Sequence, residues 1–322
     1  MSIPIFIHHE LNCGNIRELE ENVYPLIALR QAKKYNETVI FFGNKENINW
    51  WDTTVDSEEY ITSDWRRFEK NFRNLAVNYD DNYAKAFFRR LFVFYEYASQ
   101  KKIDEFIMAD SDVMLYENLS LDERFRDCDC AAYLYEEQDI KAGNPGNHMR
   151  WTVSLGLSYW KTSKMREFLD FCIDMYENHV DILEKKYDFH KKYKLDGGVC
   201  EMTLMYLWLQ SKKDSLRVVN LVKNEGHMYI VHDAGMHSGN NYINNEYEYN
   251  KLLQMKKVIF IDGQPYFIRK VDGKRIRVGS LHMAGGLKKY MIDFYKYNRI
   301  AFKHQISLYV YWLYKKLFIK NF

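Results

Sequence analysis

Proline and cysteine are both scarce in this chain of 322 residues, which contains 4 prolines and 5 cysteines. No stretch rich in proline, glycine or serine marks a linker, and the sequence contains no internal repeat or low-complexity tract. We therefore expect one main domain with a C-terminal appendage. The chain also lacks a charge excess, since its formal net charge is +2. Because binding to a phosphate backbone needs a strongly basic face, this balance argues against a nucleic-acid binder.

Other absences concern cysteine pairs, apolar runs and phosphate loops. Cys128 and Cys130 lack the two-residue gap of a zinc ribbon, and no second pair completes a zinc site. Residues 1–4 do not resemble a signal peptide, so we expect a cytoplasmic protein with free thiols. No uncharged apolar run approaches the ~20 residues that span a bilayer. A glycine-rich phosphate loop of the P-loop or dinucleotide type is also missing.

Apolar residues, in contrast, are plentiful, and their spacing indicates the fold class. They make up 47% of the chain and aromatic residues 16%, which is enough for a large core and for platforms on which sugars or bases stack. Residues 3–7 and 38–42 predict buried strands, and an amphipathic helix pattern lies between them. This order predicts parallel neighbouring strands with a right-handed crossover. We therefore predict an α/β fold with a mostly parallel central sheet flanked by helices.

The most informative motif is Asp110-Ser111-Asp112, at the end of an apolar strand pattern over residues 106–109. Side chains at i and i+2 of a strand lie on one face, so Asp110 and Asp112 are expected to point at one spot. Two anionic oxygen ligands suit a divalent cation that itself holds a diphosphate. A turn in which the aspartates hydrogen-bond their own backbone is the alternative interpretation.

A second motif, over residues 280–289, supplies groups that complement the first. His282 offers an imidazole, and Gly285 and Gly286 allow a ligand to approach the backbone closely. Lys288 and Lys289 then offer ammonium groups that could neutralise phosphate oxygens. Between the two motifs, the dipeptides Asp262-Gly263 and Asp272-Gly273 predict turns of a β-meander that precedes His282.

Together the two motifs resemble those of GT-A glycosyltransferases, and among them enzymes of the glycogenin and lipopolysaccharide-galactosyltransferase type. Those enzymes carry a strand ending in D-x-D and a later H-x-x-G-x-x-K, and the matching residues here are Asp110, Asp112, His282, Gly285 and Lys288. The resemblance covers the order of elements over roughly the first 290 residues. Lys289 and Tyr290 depart from the residues usual after the lysine, so no particular family is assigned.

The resemblance implies a Rossmann-like GT-A fold and a donor site around a metal ion. It places Mn²⁺ or Mg²⁺ on Asp110, Asp112 and His282, and Lys288 on the diphosphate of a nucleotide-sugar donor. Ser111 and Gly285 would border the same diphosphate.

Further donor contacts follow from the strand ends and from a helix. Ligands of parallel sheets bind beyond the carboxyl ends of the strands, so His8, His9 and Gly43 are expected beside a nucleobase and ribose. A solvated loop is an equally good interpretation for the two histidines. In GT-A enzymes an arginine on the helix before the D-x-D reaches the donor or braces the aspartates. Arg90 is our candidate, Arg89 is the alternative, and a surface salt bridge is the other role open to either.

Small residues and two acids mark the expected substrate side. The strand pattern over residues 151–160 puts Ser154, Gly156 and Ser158 on one face, which indicates either a wall beside the transferred sugar or close packing of a helix. Farther along, GT-A enzymes tend to place a catalytic carboxylate beside a double glycine. Here we predict Glu201 as the base and Asp196 as the acceptor-binding acid, with exchanged roles as an alternative, and Gly197 and Gly198 beside the substrate. A helix N-cap is the non-catalytic interpretation of Asp196.

The end of the chain is basic and aromatic, which divides the prediction into a catalytic domain over residues 1–288 and a helical segment over residues 289–322. That segment fits a helix at a membrane interface, and packing on the domain's own core is the alternative. A cytoplasmic enzyme that is peripheral at the inner face of a membrane is therefore expected.

The predicted function is transfer of a sugar from a nucleoside-diphosphate donor, expected to be a UDP-sugar, to a hydroxyl of a glycan, lipid-linked or protein acceptor. The sequence leaves two alternatives. One is a sugar-nucleotide hydrolase or nucleotidyltransferase, and the other is an inert membrane-docked scaffold.

Overall fold

The computed structural model describes residues 2–10, 23–134, 151, 153–213, 215–223, 230–237 and 246–300. Two sequence expectations lie outside these residues, namely the free thiol of Cys13 and the C-terminal segment beyond residue 300. The chain divides into two compact units. The first unit comprises residues 1–15, 36–110 and 119–221, and the second comprises residues 16–35, 111–118 and 222–322.

Helices account for much of the described chain. The α-helices are α1 (Val23–Tyr35), α2 (Ser63–Asn71), α3 (Asp81–Gln100), α4 (Thr162–Asn178), α5 (Val180–Tyr193), α6 (Glu201–Ser211) and α7 (Met291–Tyr297). Shorter 3-10 helices are Ile48–Trp50, Ser57–Tyr60, Leu119–Leu121, Glu123–Phe125 and Gly285–Tyr290. Among the described residues, the structure shows no helix with the length and apolar character that a bilayer crossing requires.

The first unit is built on a seven-stranded sheet with the order β3-β2-β1-β4-β7-β6-β8. Its strands are β1 (Ile5–His8), β2 (Val39–Gly43), β3 (Thr54–Asp56), β4 (Glu105–Asp110), β6 (Cys130–Tyr133), β7 (Ser154–Lys161) and β8 (Val218–Asn220). The pairs β2–β3, β1–β2, β1–β4 and β6–β8 are parallel, while β7 runs antiparallel to both of its neighbours. The predicted α/β class with a mostly parallel sheet is confirmed.

The core of the first unit explains why the early strand patterns are so apolar. Every residue of β2 is buried, and only the last residue of β1 is partly exposed. The ring of Phe6 on β1 stacks on Phe106 of β4 at 4.7 Å between centroids and is tilted against Phe42 of β2 at 5.0 Å. Helix α3 covers these rings through Phe94, whose centroid lies 4.8 Å from that of Phe42.

The second unit holds a five-stranded sheet. It has the order β12-β13-β14-β5, with β9 parallel to β14, and its strands are β5 (Val113–Leu115), β9 (Ile230–His232), β12 (Val258–Ile261), β13 (Gln264–Ile268) and β14 (Arg275–His282). A separate two-stranded ribbon pairs β10 (Tyr249–Asn250) with β11 (Met255–Lys256). Asp262 and Gly263 form the two-residue turn of the β12–β13 hairpin, with φ angles of 50° and 78°. The predicted β-meander before His282 is confirmed.

The structure corrects the expectation that Asp110 and Asp112 lie on one strand face. Strand β4 ends at Asp110, and β5 begins at Val113 in the other sheet, so Asp112 lies in the connecting turn. The turn is fixed by a hydrogen bond from the backbone N–H of Met283 to the carbonyl oxygen of Asp112, at 2.9 Å. The chain leaves the first sheet immediately after Asp110, which a period-two pattern does not reveal.

The start of α6 decides the N-cap interpretation of Asp196. Helix α6 begins at Glu201 with Cys200 at its N-cap, so Asp196 does not cap it.

Candidate active site

The motif residues of the second unit meet around the carboxylate of Asp112. Antiparallel pairing of β14 with β5 places His282 opposite Val113, next to Asp112. The Nε2 atom of His282 lies 3.3 Å from Oδ1 of Asp112, and the Nζ atom of Lys288 lies 3.2 Å from Oδ2. One buried carboxylate therefore faces an imidazole and an ammonium group, and we call these three residues the Asp112 cluster.

The backbone orients the imidazole of His282. Its Nδ1 atom lies 2.9 Å from the carbonyl oxygen of Ala234, a contact that requires Nδ1 to carry the proton. In the neutral ring, Nε2 then presents its lone pair to the carboxylate of Asp112. Two lone pairs 3.3 Å apart repel unless a proton or a cation lies between them. A hydrogen bond from one ring nitrogen to a carbonyl is also the usual support of a metal-binding histidine.

The spacing of these two atoms fits a divalent ion. Adjacent ligands at about 2.1 Å from an ion in octahedral geometry are about 3 Å apart, close to the 3.3 Å between the imidazole and the carboxylate. Carboxylate plus imidazole is a donor set that favours manganese over magnesium. The side chains of Asp112 and His282 are thus able to bind such an ion.

Electrostatics keep the carboxylate of Asp112 ionised. Burial alone would raise its pKa, but the neighbouring His282 and Lys288 outweigh burial and hold the pKa of Asp112 well below its usual range. For Lys288, burial would lower the pKa, yet the charge of Asp112 raises it above its ordinary value. The Nζ atom of Lys288 also lies over the ring of Tyr24, 4.5 Å from its centroid.

A second set of contacts supports the Asp112 cluster from behind. The backbone N–H of His282 donates to Oδ2 of Asp233 at 3.1 Å, and Oδ1 of Asp233 pairs with the ammonium of Lys256 at 2.6 Å. Asp233 is almost fully buried. The sequence did not predict this supporting role, because Asp233 is one of many polar residues in a loop. Its ion pair with Lys256 joins residues far apart in the chain, and no local pattern indicates it.

The first unit holds the other acids, which meet around the guanidinium of Arg90. Arg90 on α3 donates through Nη1 to Oδ1 of Asp110 and through Nη2 to Oε1 of Glu201, the latter at 3.1 Å. We call these three residues the Arg90 cluster. Among the described residues, Oε2 of Glu201 has no hydrogen-bond partner, although the residue is only 3% exposed. One cation therefore serves two acids.

This shortage of positive charge shifts Glu201 in the opposite direction from Asp112. Burial raises the pKa of Glu201; Arg90 lowers it, the charge of Asp110 raises it, and the net shift is upward. A buried carboxyl with a raised pKa and an unsatisfied oxygen is a candidate for proton transfer. For Arg90, burial would lower the pKa, but Asp110 and Glu201 outweigh burial and raise it.

The neighbouring arginine has different partners. Arg89 pairs with Glu10 and, at 2.7 Å, with Glu58, while the Nε2 atom of His8 lies 3.1 Å from Oε1 of Glu10. Although burial opposes it, the proximity of His8 and Arg89 lowers the pKa of Glu10 to about 2. Arg90, rather than Arg89, therefore contacts the D-x-D motif, and His8 is engaged by a carboxylate within the first unit.

Two predicted glycines have clear packing reasons. A Cβ atom on Gly43 would lie 2.3 Å from Oδ1 of Asn47, a buried residue that donates to the carbonyl oxygen of His9 at 2.7 Å. A Cβ atom on Gly198, whose φ is 124°, would lie 2.5 Å from the carbonyl oxygen of Leu75. Both glycines permit close approach of protein atoms, which does not test whether a ligand also contacts them.

The segment around Gly198 holds Asp196 at the surface. The backbone N–H of Val77 donates to the carbonyl oxygen of Gly197 at 2.6 Å, so the two segments lie side by side. Asp196 is exposed, and its Oδ1 accepts from the side-chain amide of Asn78. Gly197, with a φ of 86°, lets the chain turn from Asp196 into this pairing.

The small residues of β7 lie beside the strand that carries Asp110. The pairing of β4 with β7 ends at Ala109 opposite Leu157, so Gly156 is the next residue of β7 beyond that pair. Ser154 and Ser158 are buried, and Ser158 accepts from the indole N–H of Trp160 at 2.9 Å. The strand thus brings small side chains to the edge where β4 ends.

Gly285 and Ser111 occupy the more open positions of the two motifs. Gly285 is exposed with a φ of 62°, and a Cβ atom added to it would meet nothing within 4 Å. Ser111 is half-buried, in the turn between Asp110 and Asp112. Backbone atoms near Gly285 are therefore accessible to a ligand.

Comparison with known proteins gave one kind of match. No protein-family model and no curated protein sequence matches the chain. Solved structures that it resembles include mouse xyloside xylosyltransferase 1, with 11% identity over 68% of this chain and 85% of that one and a TM-score of 0.45.

Two further similar structures come from other proteins. Galactosyltransferase LgtC, in complex with donor and acceptor sugar analogues, shows 9% identity over 63% of this chain and 69% of that one, with a TM-score of 0.32. The bifunctional glycosyltransferase WbbM shows 12% identity over 95% of this chain and 51% of its own, with a TM-score of 0.44. All three are glycosyltransferases, the class that the two motifs indicate.

Proposed function

We propose that this chain is a metal-dependent glycosyltransferase that moves a sugar from a nucleoside-diphosphate donor, a UDP-sugar, to a hydroxyl of a glycan, lipid-linked or protein acceptor. The observation that carries the proposal is the Asp112 cluster. It combines a buried, ionised carboxylate, an imidazole with its Nε2 lone pair directed at that carboxylate, and an ammonium group within 3.2 Å. This combination suits a cation and the phosphate oxygens that the cation holds.

Asp112 and His282 are the proposed metal ligands. Asp110 is proposed as a third ligand because a single residue separates it from Asp112 in the chain. When bound, Mn²⁺ or Mg²⁺ would supply Lewis-acid stabilisation of the negative charge that grows on the departing diphosphate. The support from Ala234 and Asp233 fixes His282 before any ligand arrives, so little reorganisation is needed.

Lys288 is proposed to bind the donor diphosphate. Its side chain is 34% exposed, and its ammonium group pairs with Asp112 in this structure. The raised pKa keeps it charged, so it can interact with a phosphate oxygen from the protein side. Gly285 and Ser111 are proposed to contact the same diphosphate through their backbone atoms. His8, Gly43 and Arg90 are proposed as the other residues that bind the nucleotide-sugar donor.

Glu201 is the proposed catalytic carboxylate. With a raised pKa and one unsatisfied oxygen, it can accept the proton of an acceptor hydroxyl, a role that contributes a rate gain of roughly 10² to 10⁴. In a reaction that retains configuration, the same carboxylate would steady a cationic sugar. Arg90 holds Glu201 in place through the 3.1 Å contact.

The remaining substrate contacts are proposed on the same side of the first unit. Asp196 would bind acceptor hydroxyls, because it is exposed beside Gly197 and Gly198. Ser154 and Gly156 would border the transferred sugar. A cytoplasmic location, the division at residue 288 and membrane contact through residues 289–322 stay predictions, and most of that last segment lies outside the described residues.

The proposal is tested by incubating the full chain with UDP-, GDP- and CMP-sugars and Mn²⁺ and measuring donor hydrolysis and transfer to added glycans. We expect activity with one donor class that Asp112→Ala abolishes and Asp174→Ala does not. Asp174 is a matched control because it lies exposed on α4 and accepts from Asn178. Silence with every donor, together with no metal-dependent nucleotide binding, would favour the inert scaffold. Hydrolysis that no acceptor redirects would favour the hydrolase.

A further inference from the structure

Three aromatic side chains form an exposed cluster at the start of α3 that the proposed chemistry does not use. Their ring centroids are 5.1 Å apart for Tyr79 and Tyr83, 4.8 Å for Tyr83 and Phe87, and 5.8 Å for Tyr79 and Phe87. Tyr79 is 41% exposed and Tyr83 is 52% exposed, while Phe87 is half-buried beneath them. We call these three residues the aromatic platform.

Exposure of this kind is uncommon in the part of the chain that the structure describes. Only six large hydrophobic side chains there are exposed, and two of them belong to the aromatic platform. Aromatic rings that touch one another yet remain open to solvent often mark a surface that binds something. A π face with a polar rim suits a ligand that itself has an apolar face and polar edges.

The aromatic platform lies on the same helix face as Arg90. Tyr83, Phe87 and Arg90 are spaced at i, i+4 and i+7 on α3, which places them in one row along the helix. The rise between Tyr83 and Arg90 is about 10 Å along the axis. Arg90 contacts Glu201 at 3.1 Å, so the row leads from the exposed rings to the proposed catalytic carboxylate.

A second path connects the platform to Asp196. Asn78, the residue before Tyr79, donates its side-chain amide to Asp196. The segment before it is paired with residues 197–199, through Val77 to Gly197 at 2.6 Å and Val199 to Leu75 at 3.0 Å. Burial raises the pKa of Tyr79, and the charges of Glu201 and Asp196 raise it further, in keeping with their proximity.

We propose that Tyr79, Tyr83 and Phe87 form a binding subsite on which a sugar ring of the acceptor stacks, with Asp196 and Asn78 hydrogen-bonding its hydroxyls. This inference rests on the proposed function, because it takes Glu201 to be the group that meets the reactive hydroxyl. The C–H face of a pyranose is apolar and stacks on an aromatic face, while its equatorial hydroxyls point outward to polar neighbours. Because Tyr83, at the far end of the platform, lies about two helical turns from Arg90, the acceptor class it selects is an oligosaccharide rather than a single sugar.

The test compares Tyr83→Ala with Tyr193→Ala in the full chain. Tyr193 is a matched control, because it is 44% exposed on α5 and its ring lies 4.7 Å from that of Phe189, outside the platform. Binding is measured on an array of immobilised oligosaccharides, and catalysis is measured as the ratio of transfer to donor hydrolysis. We expect Tyr83→Ala to weaken glycan binding about tenfold and to lower that ratio through a higher acceptor KM. Tyr83→Phe should retain both, and Tyr193→Ala should match the unmodified chain.

The outcomes separate this inference from the proposed function. If glycan binding depends on Tyr83 while no donor is turned over, the platform stands and the glycosyltransferase proposal fails. If donors are turned over but Tyr83→Ala binds glycans as the unmodified chain does, the platform is wrong. The platform is equally overturned if the unmodified chain binds no glycan on the array, or if Tyr83→Phe is as impaired as Tyr83→Ala.

Discussion

The Asp112 cluster and the Arg90 cluster use the same kinds of group in opposite proportions. In the second unit, one acid faces two basic side chains, His282 and Lys288, and its pKa is lowered. In the first unit, one guanidinium is shared by two acids, and the pKa of Glu201 is raised. Burial penalises the charged carboxylate in both clusters, so the balance of basic groups and acids around each carboxylate decides the direction.

The difference supports the different tasks proposed for the two acids. An acid that stays ionised when buried can bind a cation but is a poor proton acceptor, because its conjugate acid is strong. An acid whose pKa is raised can take up a proton at a useful pH. The D-x-D carboxylate Asp112 therefore suits metal binding, and Glu201 suits proton transfer.

The largest effect is expected from a substitution that disrupts the Asp112 cluster. Asp112→Asn keeps the shape of the side chain but removes the charge that binds a cation. We expect transfer to fall at least about a hundredfold and stimulation by Mn²⁺ to disappear, because changes even to groups behind a metal ligand cost about 10- to 100-fold. Mn²⁺ binding followed by electron paramagnetic resonance, alongside the transfer rate, checks this. Unchanged Mn²⁺ affinity would remove Asp112 from the metal site.

The next effect tests Glu201 as a proton acceptor. Glu201→Gln should lower the transfer rate by roughly 10² to 10⁴ while leaving Mn²⁺ binding intact. A base must be deprotonated to act, so the rate of the unmodified chain should rise with pH through a pKa above the ordinary range of glutamate. This limb of the pH profile should vanish in Glu201→Gln. A profile of kcat/KM that keeps the same limb in the variant would assign it to another group.

Arg90→Lys tests the contact of one cation with two acids, because it weakens the pairing of residue 90 with Asp110 and Glu201. A lysine presents a point charge and cannot bind two carboxylates through a planar fork. We expect transfer to fall by about tenfold and the acidic limb of the pH profile to move to higher pH, because Glu201 loses part of its neutralisation. Arg89→Lys is the neighbouring control, since Arg89 pairs with Glu10 and Glu58. An identical shift in both variants would point to a general loss of structure.

The last prediction concerns stability, where no effect on the catalytic groups is expected, and tests the backbone that carries Asp196. Gly198→Ala should destabilise the fold by about 2 to 3 kcal/mol, because the new Cβ meets a carbonyl oxygen at 2.5 Å and a φ of 124° is a conformation that alanine rarely adopts. Gly273→Ala also has a positive φ but meets nothing within 4 Å, so it should cost only about 1 kcal/mol. Urea unfolding of both variants measures the difference, and equal losses would show that the contact is relieved elsewhere.

Much of the fold was predictable because the apolar patterns typical of strands and of helices are strong in the buried segments. The strands around Phe6 and Phe42 and the Asp262-Gly263 turn follow from local sequence alone. Helix α5 was not predicted, because its buried row consists of Leu183, Lys186 and His190. A lysine and a histidine at core positions conceal the apolar spacing from which a helix is inferred.

The candidate site was predictable in its residue types but not in its partners. The spacing of His282, Gly285 and Lys288 was visible, and their partner Asp112 could be guessed from chemistry. The carbonyl oxygen of Ala234 that orients His282 has no signature, because every residue carries one. The contact of Arg90 with Glu201 joins residues far apart in the chain, which no local pattern records.

Strand β5 has a consequence for how the polypeptide acquires its native state. It is three residues long, follows directly on a strand of the other sheet, and pairs with β14 about 165 residues later in the chain. The smaller sheet is therefore completed only after residue 282 has been synthesised, and contacts so distant in sequence slow folding. Neither unit is continuous in sequence. Cutting the chain at any single position would therefore divide at least one unit between the two fragments, and each fragment would need the other to complete its fold.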